Sequence, residues 1–252
     1  MVNHNITAKL RANEIRNKLG LGQQPVADII NLLEELGIIV FKKPLSDSNV
    51  SALFMKDRKN YLVVINSNRT LGHQFFSAAH ELHHFFYDQE LSGRACDINL
   101  DTDALEKEYL ANNFASHFLM PEEGVISVAE KRKNKAGNLE LYDIVFLQQY
   151  FKVSWISMLR KLNALGYINQ VEKYRDIGIT GLTQMMGYDV KLVKKTKDTY
   201  VSKKYLELVL KCLDNDEISR TKAAEYLKHV GLDINNIVAP EDLVKGGEDY
   251  ED

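Results

Sequence analysis

Two histidines four residues apart, with a glutamate directly after the first, constrain this chain more than any other feature: His80-Glu81-Leu82-His83-His84. At about 100° per residue, positions i and i+4 lie about 40° apart on a helix, so His80 and His84 can aim at one metal ion. Glu81 sits about 100° round from His80, where it need not be a ligand and can take a proton from an attacking water. The pattern is short enough to arise by chance in roughly one chain of this length in a hundred, so the flanks decide. Phe75, Phe76, Ala79, Leu82, Phe86 and Tyr87 recur at three- and four-residue spacing, and neither Pro nor Gly interrupts 74–87. That predicts a helix with one buried stripe. The plainer reading makes these histidines a polar shoulder on a core helix. Three of the chain's seven histidines within five residues favour a metal.

A hydrolytic zinc site takes three protein ligands and leaves one position open. Cys96 and Cys212 are far apart and follow no metal spacing, so the third ligand should be His, Asp or Glu. Residues 106–121 read as a second helix, with Tyr109, Leu110, Phe114, Phe118 and Leu119 as its apolar face and Pro121 closing it. Ala111 and Ala115 give a small strip where another helix can lie close. Glu108 shares that strip. Read alone, it is equally an exposed carboxylate that suits the first turn of a helix.

Taken together, Ala79-His80-Glu81-Leu82-x-His84, then Glu108-x-x-Ala111-Asn112-x-Phe114-Ala115, then Phe118-Leu119-Met120-Pro121 resemble the ImmA/IrrE family of zinc-dependent endopeptidases. The likeness runs from near the start of the chain to about Ile168. It implies Zn2+ held by His80, His84 and Glu108, with Glu81 as the catalytic base. It also implies a separate protein substrate, a helix-turn-helix transcriptional repressor of a mobile element or stress circuit, whose cleavage derepresses genes. His83 stands where the family commonly has glycine, which suggests a more crowded helix contact or an extra polar group near the cleft. Tyr109 and His83 are the candidates for stabilising the oxyanion. Two other classes stay open: a zinc-containing regulator that binds a repressor or DNA without cleaving it, and an antitoxin-like binding protein. Glu81 weighs against both, because a pure binding site needs no general base.

Composition bounds the rest. With 252 residues, 45% hydrophobic and 27% charged, the chain can bury one sizeable core and a smaller second unit. Residues 1–21 mix charges among their apolar residues and lack the apolar run of a signal peptide, and no window approaches a membrane span. The expectation is a cytoplasmic protein with no membrane contact, and two cysteines agree with a reducing compartment. A net charge of −3 gives no global drive toward nucleic acid.

The expected fold class is α+β: a mostly helical, zincin-like metallopeptidase core with a small antiparallel sheet, followed by a helical C-terminal module. Helices are expected over 7–19 and 25–36, with Pro25 in the first turn of the latter and Gly37 at its exit. Strands follow at 38–41, 51–55 and 61–65, the last two joined by a polar hairpin at 56–60. The strand ending at Ile65 feeds the motif helix and is the candidate edge for gripping an extended peptide, with an interior position equally open. Residues 121–133 read as a helix and 134–138 as a loop. The pair 141–151 and 155–165, with Ser154 as a cap, resembles a helix-turn-helix. A packed hairpin is the preferred reading, because Trp155, Ile156, Met158 and Leu159 leave few polar side chains to read bases. Beyond Ile168, Lys191, Lys194, Lys195 and Lys197 read as a solvated face, 202–213 and 221–230 as helices, and 241–252 as an acidic, disordered tail. The expected domains are therefore 1–137, 138–168, 169–240 and the tail.

Overall fold

The computed structural model describes residues 4–47, 50–57, 60–88, 94–95 and 102–237. The tip of the 56–60 hairpin, Cys96 and the acidic tail lie outside them. The chain divides into two compact units, 1–200 and 201–252. The boundary expected near Ile168 falls inside the first.

Helix α1 (His4–Lys18) places Ala8, Ala12 and Ile15 on one narrow stripe, and the two alanines let it lie close against α4 (Thr102–Leu119). Arg16 is buried with them. Its guanidinium donates to the carbonyls of Gly22 at 2.9 Å, of Gln24, and of Phe118 in the last turn of α4. A cation thus meets a helix C-terminus whose carbonyls lack intrahelical partners. Burial lowers the Arg16 pKa to about 10, which leaves it charged at neutral pH. Helix α2 (Ile29–Glu35) begins later than the sequence predicts, with Pro25 in the approach to it. The Asp28 carboxylate accepts from Ile30 N and Asn31 N, satisfying two N-terminal amides that Pro25 has no side-chain acceptor to serve. Gly37, at φ +84°, turns the chain into the first strand.

Strands β1 (Ile38–Lys43), β2 (Ala52–Asp57), β3 (Asn60–Asn66), β4 (Arg94–Ala95) and β5 (Tyr200–Val201) form one sheet in the order β4-β2-β3-β1-β5. The β2–β3 hairpin is antiparallel, from Ala52 opposite Ile65 to Asp57 opposite Asn60. The expected antiparallel sheet is corrected to a mixed one, because β1 runs parallel to β3 with Ile38 opposite Tyr61. β3 is correspondingly an interior strand and not the peptide-gripping edge. Its side chains alternate in burial, with Val63 and Ile65 in the core and Leu62 and Val64 partly exposed on the other face.

Thr70 caps α3 (Leu71–Tyr87) by accepting from His73 N. The helix packs on the sheet, where Phe75, Ala78, Ala79 and Leu82 join Ile38, Val40, Phe54, Val63 and Ile65 in one core. Helix α4 packs on α3, burying Ala111, Phe114, Ala115 and Phe118. Tyr109, placed by the sequence on the apolar face, is 53% exposed. After α5 (Glu122–Glu130), α6 (Leu141–Phe151) and α7 (Trp155–Ala164) form the hairpin. Ile144, Leu147, Phe151, Met158, Leu159 and Leu162 all enter the core that holds α3. The turn between them presses on the motif helix. A Cβ built at Gly72 would lie 2.5 Å from Ser154 N and 2.6 Å from Val153 C, both backbone atoms. Gly72→Ala should therefore destabilise the fold by about 1–3 kcal/mol, despite the roughly 1 kcal/mol that alanine gains over glycine in a helix. A melting temperature at or above that of the wild type would contradict this contact.

Short helices α8 (Glu172–Arg175) and α9 (Ile179–Met185) precede a stretch that runs back along the cap of α3. There Lys197 N donates to Ser67 O at 2.9 Å, Gln74 Nε2 donates to Thr196 Oγ1 at 2.8 Å, and Lys42 pairs with Asp198 at 2.6 Å. The side chains of Lys191, Lys194, Lys195 and Lys197 are exposed, as a solvated face requires. The second unit contains α10 (Lys203–Asp214) and α11 (Arg220–His229), closed around Val209, Ala223, Leu227 and Ile234. Among the described residues no helix is long and apolar enough to cross a membrane.

Candidate metal centre

Consecutive turns of α3 carry His80 and His84 on the side that faces α4, and the first turns of α4 bring Glu108 to them. His80 Nε2 lies 3.0 Å from His84 Nε2 and 3.0 Å from Glu108 Oε2, while His84 Nε2 lies 3.5 Å from Glu108 Oε1. Both imidazoles are almost wholly buried, and the Glu108 side chain is 18% exposed. An ion bonded tetrahedrally at about 2.0–2.1 Å sets neighbouring donors about 3.3 Å apart. Two imidazole nitrogens and a carboxylate at 3.0–3.5 Å fit such an ion without rearrangement of the backbone.

The outer nitrogens are also engaged. His80 Nδ1 lies 3.1 Å from Asn112 Oδ1 and His84 Nδ1 lies 2.7 Å from Asp88 Oδ2, so each ring can donate Nδ1–H outward and offer its Nε2 lone pair to an ion, in place of the Nε2–H that His80 gives to Glu108 without one. Burial opposes a charge on His80, but the hydrogen bond to Glu108 and the charges of Glu81 and Glu108 outweigh it and raise its pKa. Burial likewise opposes ionisation of Asp88. Hydrogen bonds from His83 and His84 prevail and hold it well below the usual carboxylate range. His83, His84 and Asp88 also lie close enough to form a ligand group, but His84 meets Asp88 through Nδ1, the nitrogen that orients the ring.

Glu81 follows His80 on the helix, is 1% exposed, and is close enough for its charge to act on His80. His83 lies elsewhere. Its ring is fully buried between Phe114 and Tyr87, with centroids 5.3 and 5.2 Å away, and its Nε2 meets Arg11 of α1 at 2.9 Å. Of the two roles suggested for this departure from glycine, the geometry matches the crowded helix contact. It removes His83 as an oxyanion partner, since no substrate reaches a wholly buried ring. Burial, with the charges of His84 and Arg11, keeps the His83 pKa low despite Asp88.

Sequence reasoning gave no role to Asp88 or Asn112. A signal was present for both: Asp88 is four residues after His84 and Asn112 four after Glu108, the spacing that stacks side chains on one helix face.

The family described as the IrrE N-terminal-like domain, Peptidase_M78, matches residues 33–163, just over half of the chain and a span that includes His80, Glu81, His84 and Glu108. No curated protein matches. Among solved structures, a chain described as a Mycobacterium tuberculosis transcriptional regulator is similar at 19% identity and a TM-score of 0.42. The match covers 65% of this chain and 47% of that one, so this chain spans about half the length of that relative.

Proposed function

The chain belongs to the IrrE N-terminal-like family, Peptidase_M78, and from that premise we propose that it is a zinc-dependent endopeptidase with His80, His84 and Glu108 as ligands and Glu81 as general base. The observation that carries this reading is the meeting of three donor side chains from two helices beside a buried carboxylate that is not among them. When bound, the ion supplies Lewis acidity, polarising the scissile carbonyl and making a water acidic near neutral pH. Glu81 takes the proton of that water as it attacks and passes it to the departing amine. Asn112 and Asp88 hold the two imidazoles in the tautomer that binds metal. Tyr109, half-exposed and next to Glu108, is the remaining side-chain candidate for meeting the oxyanion.

Asp88→Ala should therefore weaken zinc binding by about 10- to 100-fold without removing a ligand, as loss of an orienting carboxylate does at comparable sites. Competition with a chromogenic chelator measures it; an unchanged dissociation constant would leave Asp88 a purely structural acid.

The substrate we favour is a helix-turn-helix transcriptional repressor, cleaved so that its genes are released. The test is a proteome comparison of cells expressing wild type or Glu81→Gln, in which one protein should be fragmented only by the wild type. No difference between the two would refute the endopeptidase reading. Unit 2 supplies none of the ligands and builds its own small core, and we assign it the recruitment of that partner. A chain ending at Tyr200 should keep its zinc and lose partner capture in a pull-down; equal capture would remove the role.

A further inference from the structure

A cavity of about 570 Å³ lies between α3, α4 and α7. Asn112 joins it to the candidate metal centre, since the residue that meets His80 also lines the cavity. The opposite wall is cationic. Lys161 of α7 is only 7% exposed, and its ammonium lies 3.5 Å from His117 Nδ1. Among the described residues it forms no ion pair. Glu122, the carboxylate whose field reaches it, is already held by Lys9 at 2.5 Å. Burial lowers the Lys161 pKa to about 8, which keeps it mostly protonated near neutrality.

His117 cannot neutralise that charge. Burial, then the charges of Lys161 and Lys9, push its pKa down to about 4, so it is neutral, with Glu122 opposing the shift. Its Nε2 lies 2.8 Å from Asn5 Oδ1, to which it donates, and its Nδ1 is left to accept from Lys161. Arg160, exposed on the same helix, lines the cavity too, and among the described residues no Asp or Glu lines it. A buried ammonium without a counter-ion is costly, and an anion entering the cavity relieves that cost.

We propose that this cavity is the subsite for an aspartate or glutamate side chain of the peptide substrate, with Lys161 as its specificity-determining cation and Arg160 supporting it. The inference rests on the endopeptidase reading. A peptide backbone lying at the metal centre has neighbouring side chains within reach of Asn112, and the apolar Phe76 and Tyr109 suit the methylene stem that carries such a carboxylate. An acidic side chain is favoured over a free anion because the cavity abuts the site of cleavage.

The test uses the full chain as Glu81→Gln, loaded with zinc, so that binding is read without turnover. The probes are fluorescein-labelled, alanine-rich, end-blocked peptides carrying one Glu, or Gln in its place. Anisotropy should show the Glu peptide binding about tenfold tighter or more. Lys161→Met in the same background, which keeps length and burial but removes charge, should abolish that preference while zinc content and melting temperature hold. Equal affinity for the two peptides in the parent would overturn the proposal. So would tight binding of inorganic phosphate that the Glu peptide fails to displace, which would make the cavity a small-anion site. Wild-type hydrolysis of a mixed peptide pool separates the two levels. Cleavage with no acidic preference sinks this subsite alone, whereas no cleavage of any peptide sinks the endopeptidase reading beneath it.

Discussion

Glu81→Gln is expected to bind zinc like the wild type and to hydrolyse peptide at least about 10²-fold more slowly. The substitution preserves size and hydrogen-bonding polarity at a position that is 1% exposed, so the packing of α3 should survive. What it removes is the ability to accept a proton and hold it until the amine departs. General acid–base assistance contributes typically 10²–10⁴ in rate, and both halves of the proton transfer are assigned here to one carboxylate. The loss should fall on kcat, with KM and partner affinity nearly unchanged, because Glu81 is not needed to hold the ground-state peptide. Turnover at the wild-type rate would exclude Glu81 as the base.

The second large effect concerns the ion. His80→Ala and His84→Ala should each cost more than about a hundredfold in zinc affinity, and the double variant should purify without stoichiometric zinc. Complete zinc sites are worth on the order of 10–16 kcal/mol, so one ligand among three or four carries roughly 3 kcal/mol or more. Glu108→Ala should weaken binding as well, since both imidazoles lie within 3.5 Å of its carboxylate. Elemental analysis of purified variants gives the answer, with circular dichroism as the control for folding. One zinc per chain retained by the double histidine variant would exclude this centre.

How much of this was legible beforehand differs from element to element. The motif helix, the second helix and the spacing of His80 and His84 follow from local periodicity, because residues three and four apart share a helix face whatever surrounds them. The β2–β3 hairpin is equally local. The position of β1 is not: parallel pairing of Ile38–Lys43 with β3 is a non-local choice, and nothing in either strand's own pattern distinguishes that neighbour from an antiparallel one. The start of α2 was misplaced because Pro25 and Asp28 are both N-terminal signals, and the satisfied amides of Ile30 and Asn31 decided for Asp28.

The same division runs through the site. By itself the sequence determined that two imidazoles and a carboxylate ride on one helix at metal-binding spacing, since 3.6 residues per turn is a property of the backbone. Only the tertiary structure decided that Glu108, on a different helix and equally plausible as a surface acid, meets both histidines, and that His83 points instead into the contact with Arg11 and Phe114. It alone set Lys161 against an open cavity, with no ion-pair partner among the described residues. The reason is physical: which groups share a helix face follows from its periodicity, whereas which groups from different helices touch depends on how small residues such as Gly72, Ala111 and Ala115 let those helices approach, and that is settled only when the whole core packs.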